Sequence, residues 1–232
     1  MYLASLHRNG CNEMEKVYLK ENYKGAIFDL DGTLFDSMGV WRQIDVDFLG
    51  KRGFEVPDDY LKAITAKNFK DAADYTIARF DLKESPEAIM DEWFAMAIHA
   101  YTYEVPLKPY VREYLEKLKQ DGVKIAAATS SDERLFYPCM EHHGILPYFD
   151  AFAVTTEVKR AKGFPDVYDC AAAKIGLKAE ECVVFEDILK GIEGAKMGGY
   201  HTVGVEDIHS SYEKEAIRKL ADVYIISFEQ LI

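Results

Sequence analysis

Beyond residue 107 the chain alternates between two patterns of hydrophobic and polar positions. Short apolar runs, typical of buried strands, occur at 123–128, 149–155, 182–185, 201–205 and 223–226. Between them apolar residues recur every three to four positions, which predicts helices at 109–120, from about 132, at 165–174, up to 197 and at 212–220. This βα alternation predicts an α/β protein with a parallel sheet and helices on both of its faces.

The segment between residues 36 and 106 interrupts this alternation. An earlier apolar run at 25–28 adds a first strand, but residues 41–49, 60–80 and 86–103 all carry helical patterns. We therefore predict a Rossmann-like doubly wound core formed by residues 23–36 and 107–232, with an α-helical cap at 37–106. Its hinges are expected near 35–37 and 104–109, and residues 1–22 are expected to form an N-terminal extension without catalytic role. Four cap aromatics are expected to be cap core rather than ligand contacts: Trp93, Phe94, Tyr101 and Tyr103.

Composition excludes some classes of function. The net charge of −12 argues against nucleic-acid binding, which needs a basic surface. No stretch approaches the roughly 18 apolar residues of a membrane span, and the N-terminus lacks a signal-peptide core. The four cysteines show no CxxC spacing, so we expect reduced thiols in a cytoplasmic protein, a monomer by default.

Two acids follow the first predicted strand. Asp29 and Asp31 stand two residues apart, and in an extended chain such residues point the same way. Two carboxylates that close would repel or share a proton, and a divalent cation removes that conflict. The pair therefore suggests a metal and catalytic site, although acids at a strand end also commonly cap a helix.

Polar residues also follow three later strands. Thr129 and Ser130 end the second strand, Lys162 follows the third, and Glu186-Asp187 ends the fourth. In parallel sheets the binding crevice lies at the carboxyl ends of the strands. Acidic oxygens suit Mg²⁺, and hydroxyls with a lysine suit phosphate oxygens. Together these residues form the parts of a phosphoryl-transfer site.

These motifs resemble the haloacid dehalogenase superfamily, in the branch with a helical cap. Asp29 to Thr33 matches the DxDGT motif of its phosphotransferases, and the later motifs match Thr129, Lys162 and Glu186-Asp187 in order. The resemblance implies a Mg²⁺-dependent phosphatase of a small phosphorylated metabolite, such as a sugar phosphate.

The resemblance also implies roles for individual residues. Asp29 would be the nucleophile, and Asp31 would be the acid and base. Asp29, the Asp31 backbone carbonyl and Asp187 would hold the metal. Thr129, the Ser130 backbone and Lys162 would hold the phosphoryl group, while Thr33 would orient Asp31 and Glu186 would act through water.

Three alternatives remain open at the level of sequence. Asp31 argues against a dehalogenase, because a halide leaves without a proton. A β-phosphoglucomutase is a closer alternative, but Thr33, Trp41 and Phe69 depart from the mutase pattern. A phosphonate hydrolase would need a cap lysine, with Lys62, Lys67 and Lys70 as candidates. A non-catalytic binding module would not need the four polar motifs that the chain retains.

Overall fold

The protein was analysed as a computed structural model that describes residues 16, 23–65, 67 and 69–232, and all of these side chains except those of residues 62 and 65. The expected extension at 1–22 thus lies, apart from residue 16, outside the described residues. Within them the chain forms one six-stranded sheet in the order β3-β2-β1-β4-β5-β6, and every neighbouring pair is parallel. The predicted α/β fold class is therefore confirmed.

The strands are short and mostly buried. Their bounds are β1 Gly25–Phe28, β2 Lys124–Thr129, β3 Ala151–Val154, β4 Cys182–Glu186, β5 His201–Val205 and β6 Val223–Ile225. Central β1 is fully buried between β2 and β4, as expected for a strand covered on both faces. All five strands predicted downstream of residue 107 are present, with ends that shift by three residues or fewer.

Four helices lie between β1 and β2, and five follow β2. The first group is α1 Val40–Gly50, α2 Asp58–Thr65, α3 Phe69–Phe80 and α4 Pro86–Tyr103. The second group is α5 Val111–Gln120, α6 Glu133–His142, α7 Asp166–Lys174, α8 Leu189–Met197 and α9 Lys214–Leu220. The single helix expected over 60–80 is thus wrong: the structure has two helices there. Among the described residues, no helix combines the length and apolar character needed to span a bilayer.

Alternate residues of β1 point into different apolar clusters. Phe28 packs on one face of the sheet, where its ring stacks on Phe185 at 4.4 Å, together with side chains of α5 and α6. Ile27 packs on the other face against α7, for example against Val167 and Ala171. The sheet therefore has helices on both faces.

The inserted helices rest on the core through α4 and α6. Their apolar side chains belong to the same cluster as the Phe28 face of the sheet. The Arg134 guanidinium of α6 lies 4.1 Å from the ring centre of Phe94 on α4. Beside this contact the two connecting segments pair with each other, through an antiparallel bridge between Phe35 and Leu107. The division into cap and core stays a prediction, and this packing is its structural setting.

Candidate active site

The carboxyl ends of β1, β2 and β4 open into a cavity of about 420 Å³. Asp29 and Asp31 follow β1, where the chain turns sharply: the amides of Leu34 and Phe35 both donate to the carbonyl of Leu30. Gly32 makes this turn with φ of 81°, a conformation that favours glycine. Seven of the eight residues expected from sequence line this cavity or contact a residue that does, and the eighth, Ser130, lines it as well. The structure thus brings all of them together.

Lys162 lies at the centre of the site. Its ammonium group contacts the Asp29 carboxylate and lies 2.6 Å from Glu186 Oε1. The Tyr168 hydroxyl donates to the same Glu186 oxygen at 2.7 Å. All of these groups are buried, so the lysine balances charge that water cannot reach. Glu186, expected to act through water, instead contacts Lys162 directly.

Asp187 completes a group of three buried acids. One oxygen each of Asp29, Glu186 and Asp187 lies within 4.8 Å of the others. The Thr33 hydroxyl donates to Asp187 Oδ1 at 3.1 Å, and not to Asp31 as the sequence suggested. Asp187 Oδ2 and Glu186 Oε2 are buried without a hydrogen-bond partner among the described residues. Buried carboxylate oxygens without partners are suited to a hard divalent cation, so the group could hold a metal ion.

The protonation equilibria of these groups reflect burial and crowding. Burial raises the pKa of Asp187 to about 8, and the charges of Asp29 and Glu186 raise it further toward that value. Burial also raises the pKa of Glu186 to about 7, although Lys162 opposes the shift. The pKa of Asp29 is raised for the same reason. Burial alone would lower the pKa of Lys162, but the two carboxylates outweigh it and raise that pKa. Without a cation the site therefore favours bound protons.

Asp31 is held by two hydroxyls that the sequence did not single out. Ser37 Oγ donates to Asp31 Oδ1 at 2.6 Å, and the Tyr101 hydroxyl donates to the same oxygen at 2.7 Å. Tyr101 lies on α4, so the assignment of this residue to the cap core alone is wrong. Of the other cap aromatics, Phe94 lines the cavity, Trp93 is buried between helices and Tyr103 is exposed.

The end of β2 supplies small polar groups opposite Asp29. Thr129 is buried, and its Oγ1 accepts a hydrogen bond from the Ser131 amide at 3.0 Å. Because that amide uses the oxygen as an acceptor, the Thr129 hydroxyl hydrogen can donate into the cavity. Ser130 and Ser131 line the same wall, ahead of α6, which Asp132 caps. This wall and Lys162 are suited to an anionic group.

The remaining wall is apolar and comes from the inserted helices. Met38, Trp41, Phe69 and Phe94 line it, and the rings of Trp41 and Phe69 meet edge to face at 5.9 Å. Lys162 is the one cationic side chain among the lining residues in the described part of the chain. The cavity can therefore combine one anionic group with an uncharged remainder.

A parallel sheet with acids and a lysine at its carboxyl edge, beneath an inserted set of helices, defines a capped α/β enzyme with a carboxylate-rich site. The family model of the haloacid dehalogenase-like hydrolases matches residues 26–205. The chain belongs to this family, and the predicted resemblance is confirmed.

Similar curated proteins cover nearly the whole chain. A phosphorylated carbohydrates phosphatase of Thermotoga maritima is 25% identical over 90% of this chain and 96% of its own length. Hexitol phosphatase B of Escherichia coli is 26% identical over 89% of this chain and 93% of its own length.

Solved structures share the fold. A Thermotoga maritima protein provisionally named a β-phosphoglucomutase superposes with a TM-score of 0.79 at 24% identity, over 90% of this chain and 96% of its own. The magnesium-bound hydrolase YfnB of Bacillus subtilis superposes with a TM-score of 0.71 at 12% identity, over 91% of this chain and 97% of its own.

Proposed function

We propose that the protein is a Mg²⁺-dependent phosphatase that hydrolyses a small phosphorylated carbohydrate or polyol through an aspartyl-phosphate on Asp29. The observation that carries the proposal is the position of the Asp29 carboxylate, between the buried Lys162 ammonium and the unpartnered Asp187 oxygen, at the floor of the cavity. The activities of the two curated relatives support a phosphoric monoester hydrolase and a phosphorylated carbohydrate as substrate.

In the first step an Asp29 oxygen attacks phosphorus, and the bond from phosphorus to the leaving oxygen breaks. Asp31 gives its proton to that oxygen, which departs as an alcohol with the bonding electron pair. Thr129 and Lys162 would hold the phosphoryl oxygens in line with Asp29. The buried lysine also offsets charge that accumulates beside Asp29 and Glu186.

In the second step Asp31, now a carboxylate, takes a proton from a water molecule that attacks the phosphorus. The bond from phosphorus to Asp29 breaks, inorganic phosphate forms, and the Asp29 carboxylate is regenerated. A magnesium ion held by Asp29 and Asp187 would neutralise charge on the phosphoryl oxygens. The magnesium-bound structural relative is consistent with that choice of metal.

The apolar wall favours hydrolysis over mutase chemistry. A mutase that moves a phosphoryl group between hydroxyls of one sugar passes through a doubly phosphorylated sugar. Such an intermediate needs a second cationic contact, whereas the described lining offers Lys162 alone, with Trp41 and Phe69 opposite. The cavity of about 420 Å³ also lies at the small end of the roughly 300–1,000 Å³ of small-molecule sites.

The phosphonate alternative finds no support in the described cap lysines. Lys67 and Lys70 are exposed, and Lys70 pairs with Asp74 at 2.9 Å, whereas a Schiff-base lysine needs burial to lose its proton. The side chain of Lys62 lies outside the described residues.

The test is phosphate release from hexitol, hexose and aryl phosphates, with Mg²⁺ and with EDTA. Wild type should release phosphate only with Mg²⁺, and Asp29→Asn should fall to the rate without enzyme. Asp36→Asn, which changes an exposed acid seven positions downstream, is the control and should keep its activity. Turnover by Asp29→Asn would contradict the proposed nucleophile. Conversion of glucose 1-phosphate to glucose 6-phosphate without phosphate release would establish the mutase, and tight binding without turnover would establish a binding module.

A further inference from the structure

The side chain of Asp31 is held asymmetrically by residues on two segments. Both described hydrogen bonds reach Oδ1, from Ser37 in the first connecting segment and from Tyr101 on α4. Within the described part of the chain no hydrogen bond engages Oδ2. Asp31 lines the cavity, so Oδ2 is the oxygen left to face a substrate.

The Tyr101 hydroxyl reaches Asp31 from the inserted helices, 70 positions along the chain. Its ring is 3% exposed and packs in the apolar cluster that the inserted helices share with the core. Because buried packing fixes the ring, the hydroxyl has one direction in which to donate. The bond therefore exists only while α4 is seated on α6.

We propose that Tyr101 is a positioning residue that fixes Asp31 so that Oδ2 alone exchanges a proton with the leaving oxygen. This inference rests on the proposed phosphatase function. When the leaving oxygen separates from phosphorus, the Oδ2–H bond breaks and the proton joins that oxygen. Asp31 is left as a carboxylate whose Oδ1 continues to accept from Ser37 and Tyr101. Neither hydroxyl transfers its own proton.

The consequence is a dependence on the leaving group. An alkyl phosphate expels a weakly acidic alcohol and needs the proton from Asp31, whereas p-nitrophenyl phosphate expels a stable phenolate and does not. The ratio kcat/KM reports events up to release of the leaving group, so it isolates this step from the later attack of water. A loss of fold or of phosphate binding would slow both substrates together.

The experiment compares wild type, Tyr101→Phe and the control Tyr103→Phe, which changes a 65% exposed tyrosine on the same helix. For Tyr101→Phe we expect kcat/KM to fall at least about tenfold with glycerol phosphate or a hexitol phosphate, but less than about threefold with p-nitrophenyl phosphate. Tyr103→Phe should match wild type with both. Ser37→Ala removes the other donor and should show the same selective loss, which keeps the test informative if Tyr101→Phe does not fold.

Equal losses with both substrates, or no loss with either, would overturn the inference while leaving the phosphatase proposal intact, because wild type would still turn over. A selective loss in Tyr103→Phe as large as that in Tyr101→Phe would also overturn it. A wild-type protein inactive on both substrates would overturn the inference together with the proposed function.

Discussion

Replacement of Asp187 by asparagine is predicted to stabilise the metal-free protein while abolishing its activity. The oxygens of Asp29, Glu186 and Asp187 lie within 4.8 Å of one another, and at that separation two full charges repel by about 3.5 kcal/mol at an effective dielectric constant of about 20. Lys162 offsets part of this repulsion. Asparagine keeps an oxygen that can accept from Thr33, so the substitution removes charge with little change of shape.

We expect a net gain of about 1–3 kcal/mol in the free energy of unfolding, or about 3–10 °C in Tm for a chain of this length. The measurement is thermal unfolding at pH 8.5, because the pKa of Asp187 is about 8 and the carboxylate must be ionised for the relief to appear. In EDTA, Asp187→Asn should unfold at a higher temperature than wild type. Mg²⁺ should raise the Tm of wild type and leave that of the variant unchanged.

The matched control for this prediction is Asp132→Asn. Asp132 lines the same cavity, but it pairs with Arg134 at 2.7 Å, and this hydrogen-bonded pairing lowers its pKa. Its replacement should leave Tm unchanged or slightly lower, and the Mg²⁺ response should persist. A lower Tm for Asp187→Asn in EDTA, or an undiminished Mg²⁺ response, would refute the account of this site as an uncompensated acid cluster.

Two further predictions concern the same cluster. Gly32→Ala places a methyl group 2.3 Å from Asp187 Oδ2 at φ of 81°, so we expect a stability loss of at least about 1–2 kcal/mol and weakened Mg²⁺ binding, measured by denaturation and calorimetry; unchanged Mg²⁺ affinity would contradict it. The raised pKa of Asp187, about 8 against an ordinary 3.8, means that the folded metal-free protein retains a proton that the unfolded chain releases. This contribution to stability is complete below about pH 4 and is lost as pH rises through about 8. The Tm difference between Asp187→Asn and wild type in EDTA should therefore widen from pH 5 to pH 9, and a constant difference would contradict the prediction.

The fold could be predicted from sequence because the periods of strands and helices are local properties. The run at 123–128 and the stripe at 109–120 need no knowledge of distant residues to be recognised. The pattern failed over 60–80, where α2 ends at Thr65 and α3 begins at Phe69. Apolar spacing continues across a short break between two helices, so periodicity alone cannot separate them.

The site residues could be predicted as a group because parallel strands end at one edge of the sheet. Their individual contacts could not. The expected contact of Thr33 with Asp31 assumed a chain that stays extended, but the turn at Gly32 directs Thr33 toward Asp187. Tyr101 carries no local signal at all, since its contact with Asp31 depends on how α4 packs against the core.

The central claim is that hydrolysis proceeds in two displacements at phosphorus, the first by Asp29. The most direct test is the stereochemical course with a chiral phosphorothioate substrate, labelled with oxygen isotopes and hydrolysed in labelled water. Each in-line displacement inverts the configuration at phosphorus. The account predicts net retention, because a phosphorylated Asp29 intermediate requires two displacements, and net inversion would show direct attack by water and contradict it.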